Sequence, residues 1–485
     1  MKTRDATWLS LFERDENSHL SLTERICSTV RGAVGAGYLG SGDRLPASRV
    51  LAIDLQVSRI TVEAAYGRLE AEGYVVRRVG DGTFVALTMP STDARRKSGR
   101  LIQAQLSRRG SELVATGGCV DARVAHAFTA GFPDLPAFPH EIWRRIAARK
   151  LRSDPMIAMG YGDPQGLPEL RSAISSYLFQ YRNVQCSPEQ IVVTTSSQQA
   201  LTLIFTLLID PGDPVWVEDP CYTGAYTALV SAGAAVVGIP VDEKGICVPP
   251  ASERPAPKIA YLTPGHQYPT GAILSMERRM QIVTDAFLQN TWIVEDDYDS
   301  EFRYDAQALP SLQGLDKRGR VIYVGTFSKS MFPSLRIGYM VLPPGLVASF
   351  VTARTTQDGH PPYLSQAIAA EFIAEGHFTA HIRQMRRLYT SRCDCLLESL
   401  AEHVPRVWRT SPERAGLQVT VCADVPSDLN VARDAKKAGL ELACLSPLYI
   451  GDSARQGWML GFSALDNASI RAGAKKLGRL LDGRA

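Results

Sequence analysis

Between Ile191 and Val324 short β-branched runs alternate with helical stretches, and that alternation leaves few folds open to the chain. The runs are Ile191-Val192-Val193-Thr194, Pro214-Val215-Trp216-Val217, Ile259-Ala260-Tyr261-Leu262, Trp292-Ile293-Val294 and Val321-Ile322-Tyr323-Val324. Each has the length of one strand and is bounded by turn residues, which predicts strands buried on both faces. Helices must then cover both sides, so the expected class is α/β with a largely parallel sheet. Ligands in such sheets collect beyond the carboxyl ends of the strands. The polar motifs of this chain fall there.

At 485 residues the chain exceeds one comfortable core, and two or three domains are expected. Lys and Arg total 53 against 50 Asp and Glu, a net charge of +3, so any DNA contact must be local rather than a property of the whole surface. The longest apolar run, Leu229 to Val241, is interrupted by Ser, Gly and Pro and is too short to span a bilayer. Met1-Lys2-Thr3-Arg4-Asp5 lacks the apolar stretch of a signal peptide, so a cytoplasmic protein with no membrane partner is expected. The nine cysteines are odd in number and lack paired metal spacing; they are expected to be reduced thiols, with no metal site.

The opening reads as a separate unit over residues 15–86. Leu22, Ile26, Val30 and Val34 share one helical face, a second helix fits Ser48 to Asp54, and a third begins after Ser58 as its cap and runs to about Glu72. Gly73 to Arg78 and Val79 to Val85 then form two strands about a Gly-Asp-Gly turn, a winged hairpin. Two short helices about a tight turn place the N-terminal residues of the second at base edges and phosphates. Arg44, Arg49 and Arg59 supply cationic forks, Ser48, Ser58 and Thr61 short hydroxyls, and Gly80 and Gly82 allow close approach of the wing. Gly42-Asp43-Arg44-Leu45-Pro46-Ala47-Ser48-Arg49, Val57-Ser58-Arg59-Ile60-Thr61-Val62 and Gly80-Asp81-Gly82-Thr83-Phe84-Val85 resemble a GntR-type winged helix-turn-helix, which implies double-stranded DNA as partner. Residues 87–127 read as a flexible linker whose basic residues, among them Arg95, Arg96, Lys97 and Arg100, form either a solvated surface or a second phosphate-contacting arm.

The most informative stretch is Gly325-Thr326-Phe327-Ser328-Lys329-Ser330-Met331-Phe332-Pro333-Ser334-Leu335-Arg336-Ile337-Gly338. A lysine amine condenses with an aldehyde as a Schiff base, while Thr326, Ser328 and Arg336 can hold a phosphate dianion. In Val294-Glu295-Asp296-Asp297-Tyr298, Asp296 is the candidate partner of a protonated pyridine nitrogen and Tyr298 of a cofactor phenolic oxygen. Ser197 and Gln198 open a helix whose free amides suit the phosphate, a role compatible with simple capping by Ser196. Tyr222 either stacks on the pyridine or fills the core.

Together with Tyr161-Gly162-Asp163-Pro164-Gln165-Gly166 and Thr263-Pro264-Gly265-His266-Gln267-Tyr268-Pro269-Thr270-Gly271, these motifs resemble a fold-type I aminotransferase from about Phe128 to the C-terminus. Its large part is expected over about 160–345 and its small part over about 346–485 with 128–159. Joined to a GntR-type head, the architecture is similar to the MocR subfamily of regulators. That resemblance implies pyridoxal 5'-phosphate (PLP) on Lys329 and a homodimer, head-to-tail, with Tyr161 reaching the neighbouring subunit's phosphate. It also implies a DNA-binding regulator that senses an amine or PLP itself; the alternative is a working aminotransferase with a DNA-binding appendage.

Two departures bear on that choice. Tyr268 stands where aminotransferases carry the Asn of Asn-Pro-Thr-Gly, which leaves Tyr298 alone on the phenolic oxygen and favours a regulator, with transamination residual at most. In Gly457-Trp458-Met459-Leu460-Gly461-Phe462, Met459 takes the place of the arginine that clamps a substrate carboxylate, and Gly224 that of a second arginine in the GABA-responsive member. The effectors left open are an amine or amino acid anchored by another cation such as Arg354 or Arg414, a sulfonate such as taurine, and PLP.

Overall fold

The computed structural model describes residues 20–86, 105–119, 124–153, 159–249, 256–304, 309–451 and 454–482. Arg95, Arg96, Lys97 and Arg100 lie outside them. The chain divides into two compact units between Gln105 and Leu106.

In the first unit, α1 (Leu22–Gly35) starts at Ser21, whose side chain accepts from the Glu24 amide, and α2 (Ser48–Asp54) turns into α3 (Arg59–Ala71). Ser58 caps α3 by accepting from the Thr61 amide at 3.1 Å. β1 (Val75–Arg78) and β2 (Gly82–Val85) form the antiparallel wing, with Arg78 opposite Gly82. Ile26, Val30 and Val34 of α1 pack on Leu51, Val62, Ala65, Leu69, Val75 and Val85. Leu22, on the same expected face, is instead 46% exposed at the start of the helix.

The second unit holds an eight-stranded sheet ordered β3-β10-β9-β8-β7-β4-β5-β6. Its strands are β3 (Ile191–Thr194), β4 (Pro214–Asp219), β5 (Ala235–Asp242), β6 (Gly245–Ile246), β7 (Ile259–Leu262), β8 (Trp292–Asp297), β9 (Val321–Thr326) and β10 (Gly338–Val341). All five expected runs are strands, and β5-β4-β7-β8-β9 pair in parallel. β3, β7 and β9 are buried along their whole length, the mark of strands covered on both faces. β10 runs antiparallel between β9 and β3. Its Gly338 lies where a Cβ would sit 2.6 Å from the Ser196 carbonyl carbon, so glycine lets β10 draw the corner after β3 against the corner after β9.

A second sheet, β11 (Val407–Arg409), β12 (Gln418–Ala423), β14 (Gly457–Gly461) and β13 (Ala443–Cys444) in that order, is antiparallel. It is backed by the helices His377–His403 and Asn467–Asp482, which pack on each other. Cys393 and Cys395 are buried on the first of these helices. Part of the segment expected as linker is ordered against this unit. Arg108–Ala115 form a helix capped by Ser107, and Arg109 Nε donates to the Ser231 carbonyl at 2.6 Å. Among the described residues no helix is long and apolar enough to cross a membrane, and no group of His, Cys, Asp or Glu could hold a metal ion.

Candidate functional site

Beyond the carboxyl ends of β8 and β9 lies a cavity of about 310 Å³. It is lined by Lys329, Ser197, Gln198, Tyr222, Asp296, Tyr298, Thr326, Ser328 and Arg336, which is every cofactor candidate except Tyr161. Tyr161 is fully exposed, its ring edge-on to His360 with centroids 5.8 Å apart.

The period of two along β8 sorts its acids. Glu295 accepts from the Leu312 and Gln313 amides, both at 2.9 Å. Asp297 takes Arg182 Nε at 2.7 Å and the Tyr323 hydroxyl at 2.6 Å. Asp296 points the other way, into the cavity. Its Oδ2 accepts from the Tyr261 hydroxyl at 2.8 Å, while the buried Oδ1 has no hydrogen-bond partner among the described residues. Burial pushes the Asp296 carboxyl up to about 7, against the pull of the Tyr261 hydrogen bond. A protonated pyridine nitrogen would satisfy Oδ1 and restore the charge, so the residues present fit PLP.

The phosphate end is equally prepared. Ser196 caps the helix Ser197–Leu208 by accepting from the Gln199 amide at 3.1 Å, and the first-turn amides before it remain free to meet an anion. Thr326 Oγ1 donates to Ser328 Oγ at 3.1 Å and accepts from the Ser328 amide at 3.2 Å, which holds both hydroxyls beside the cavity. Arg336 adopts φ 55° and ψ 50°, left-handed backbone that strains a non-glycine residue by about 1 kcal/mol. It has no ion-pair partner among the described residues, and such strain is maintained where a side chain must be aimed. Lys329 Nζ lies beside Gly131, where a Cβ would come within 3.4 Å of it.

Tyr298 is flanked by residues that the sequence reading did not single out. Its hydroxyl is 3.2 Å from His266 Nδ1, which in turn lies 3.0 Å from Asp299 Oδ2. Burial pushes the Tyr298 phenol up, keeping it a proton donor. Tyr268 stands edge-on to both Tyr222, at 5.3 Å, and Tyr298, at 6.0 Å. Tyr261, Asp299, Gly131 and Gln418 also line the cavity and went unnoticed. The period-two pattern of β7 could have flagged Tyr261 as facing the same way as its neighbour's carboxylate; nothing local marks Gln418.

Neither of the two positions expected to carry clamping arginines supplies a cation. Met459 is 2% exposed in the middle strand β14, and its Sδ accepts from Gln418 Nε2 at 3.3 Å. A Cβ on Gly224 would lie 2.4 Å from Gln198 Oε1 and 2.5 Å from the Tyr222 ring. The substitute cations are corrected by the structure. Arg354 is fully buried, held by the Pro164 and Val193 carbonyls and by Asp358, and Arg414 pairs with Asp394; neither lines the cavity.

On the first unit, Arg44, Arg49, Ser58 and Arg59 are exposed. Arg44 Nε would be 3.0 Å from a Cβ on Gly82, whose φ is +122°, while Gly80 has φ +81°; the wing backbone and the Arg44 guanidinium thus share one edge. Ser58 Oγ and Thr61 Oγ1 are 2.8 Å apart at the head of α3. Ser48 was expected to donate to phosphate, but its hydroxyl gives its proton to Glu63 at 2.5 Å. Arg59, 3.8 Å from Glu63, remains outward. Two apolar residues escaped the sequence reading: Ile60, 81% exposed in the first turn of α3, and Val79, fully exposed at the wing tip. Aliphatic side chains in such positions suit contact with thymine methyl groups.

Comparison with known proteins places these geometries. Residues 129–437 match the family described as Aminotransferase class I and II, and residues 22–85 match Bacterial regulatory proteins, gntR family. The chain is 38% identical over 466 residues to the probable rhizopine catabolism regulatory protein MocR of Rhizobium meliloti, covering 96% of this chain and 94% of that protein. The second unit is similar to the Pyrococcus horikoshii kynurenine aminotransferase crystallised in complex with PMP, with TM-score 0.70 and 28% identity over 81% of this chain and 98% of that one. It is also similar to the α-aminoadipate aminotransferase LysN of Thermus thermophilus, complexed with N-(5'-phosphopyridoxyl)-L-leucine, with TM-score 0.69 and 29% identity over 81% of this chain and 99% of that one.

Proposed function

The chain belongs to the MocR-type family of transcription regulators, in which a GntR-type winged helix precedes a PLP-binding class I and II aminotransferase domain, and we propose that it binds operator DNA and senses a primary amine, or PLP itself, through Lys329. One observation carries this reading. The cavity assembles a full set of cofactor-holding groups around Lys329, while Met459 and Gly224 fill the places of the substrate-clamping arginines.

When bound, PLP supplies an aldehyde with which amines condense. Each residue of the chain has a separate task. Asp296 Oδ1 would receive the pyridine N–H, Tyr298 would donate to the phenolic oxygen, and the Tyr222 ring would cover the pyridine. Ser197, Gln198, Thr326, Ser328 and Arg336 bind the phosphate, the last as a charge-assisted fork. The exposure of Tyr161 supports its reaching a second subunit's phosphate in a homodimer, with the domains arranged head-to-tail. On the first unit Arg44, Arg49, Ser58, Arg59, Thr61, Gly80 and Gly82 form the DNA face, with Ser48 orienting Glu63 rather than meeting phosphate. Residues 15–86, 87–127 and 128–485 are then the DNA-binding domain, the connecting segment and the sensor, in a cytoplasmic protein. Occupancy at Lys329 shifts the arrangement of the DNA-binding heads; a shift of kcal/mol order suffices to regulate.

The test is a titration of the protein against the intergenic DNA beside its gene, with and without PLP and with candidate amines. DNA affinity that ignores all of them refutes the sensing role. The alternative, a working aminotransferase with a DNA-binding appendage, requires steady-state transfer from amino donor to 2-oxoacid at rates typical of transaminases, about 1–10³ per second.

A further inference from the structure

Resting on the reading of Lys329 as the cofactor lysine, we infer that the effector is a primary amine without carboxylate or sulfonate, a neutral hydroxylated amine recognised by hydrogen-bond acceptors. Among the described lining residues the cations are Lys329 and Arg336, and both are committed to the cofactor. What faces the reacting amine is instead an acceptor. Gln418 gives one Nε2 hydrogen to Met459 Sδ, and its Oε1 lies toward the cavity. That oxygen lies 3.7 Å, and Lys329 Nζ 3.4 Å, from the same point above Gly131, so an amine delivered to Lys329 brings its next substituents against Gln418 Oε1.

Asp299 adds a buried carboxylate to the same lining, its oxygens already turned toward His266. A ligand carboxylate or sulfonate placed here would meet like charge and lone pairs, and its desolvation would go uncompensated. A hydroxyl, by contrast, has a proton to donate to Gln418 Oε1.

The arginine positions reinforce this polarity. Met459 is not an emptied clamp: it is the group that fixes the Gln418 amide with its oxygen outward. Gly224 is required by the approach of Gln198 and Tyr222. Exclusion of anions is therefore built from residues that also hold the cofactor pocket in shape.

Purified protein carrying PLP should be titrated with 3-amino-1,2-propanediol and 2-amino-2-deoxysorbitol, with propylamine as the plain amine, and with β-alanine and taurine as the anionic ones. The readouts are the visible absorbance of the lysine-bound cofactor and the DNA affinity. The hydroxylated amines are expected to act at concentrations about 5-fold below those of propylamine, the value of one hydrogen bond gained, and further below those of the anionic amines. Gln418→Leu is expected to erase the advantage over propylamine. Gln418→Arg is expected to reverse the order in favour of β-alanine and taurine. Equal or better action of either anionic amine on the unaltered protein overturns the inference, as does a Gln418→Leu protein that keeps the advantage. Protein that shows no lysine-bound absorbance at all instead overturns the cofactor reading beneath it.

Discussion

Asp296→Asn separates the electrostatics of the cavity from those of the cofactor. Burial raises the Asp296 carboxyl from 3.8 to about 7, roughly three units, and each unit is worth about 1.36 kcal/mol, so its ionised form destabilises the cofactor-free unit by about 4 kcal/mol. The folded value lies above the unfolded one. The native state therefore holds the proton more tightly, and stability falls as pH rises from about 4 to about 7, reaching its full loss above that. Asparagine has no such titration. Glu218, likewise pushed up to about 7 by burial, titrates in both proteins and largely cancels. With Leu106–Ala485 unfolding as one unit at about 2.1 cal/mol/K per residue, 4 kcal/mol corresponds to about 5 °C in Tm. Thermal melts of the two cofactor-free proteins should coincide near pH 4 and diverge by about that much at pH 8, with the variant more stable. Adding saturating PLP should narrow that gap to about 1–2.5 kcal/mol. The protonated pyridine nitrogen relieves the charge in the unaltered protein, whereas the variant loses a buried charge-assisted hydrogen bond of about 1.5–3 kcal/mol and binds PLP roughly 10- to 150-fold more weakly. A gap in Tm that is the same at pH 4 and pH 8 would refute the account of Asp296 as a carboxylate held near neutrality for a cationic partner.

Lys329→Ala should abolish the visible absorbance of the lysine-bound cofactor while PLP still binds through the phosphate and ring contacts; ultrafiltration with fluorescence detection separates the two effects. Gly338→Ala places a methyl 2.6 Å from the Ser196 carbonyl carbon, so the helix start must shift and chemical denaturation should show a loss of about 1–3 kcal/mol, with weakened phosphate binding. Arg49→Ala and Arg59→Ala should each flatten the slope of log affinity against log salt by about 0.9 if each neutralises one phosphate, and an unchanged slope removes that residue from the DNA backbone contacts. His266→Phe should leave the fold intact but raise the pH at which the lysine-bound cofactor loses its proton, measured by absorbance, because Tyr298 loses the neighbour that aims its hydroxyl.

What could be read from the chain and what could not follow from how far apart the interacting residues lie. The five strands expected from their runs, the capped helices of the first unit and the wing are specified by residues adjacent in sequence, and Lys329, Thr326, Ser328 and Arg336 fall in one turn region of the chain. Asp296 was separable from Glu295 and Asp297 because strand periodicity alone turns it to the other face. Its orphaned Oδ1 and the Tyr261 hydroxyl on its Oδ2 depend instead on the pairing of β7 with β8, which aligns Tyr261 with Val294 across 33 positions. β10 escaped because four residues after a turn carry too little pattern, yet its two antiparallel pairings bring Ser197 beside the Lys329 loop. Arg354 shows the converse error: a free cation in the sequence becomes a structural bracket once the Val193 and Pro164 carbonyls need donors. Gln418 is the sharpest case. No motif surrounds it, and its meaning arises only when β12 pairs with β14 and Met459 takes its amide hydrogen, turning a substitution that reads as a lost clamp into part of an acceptor surface.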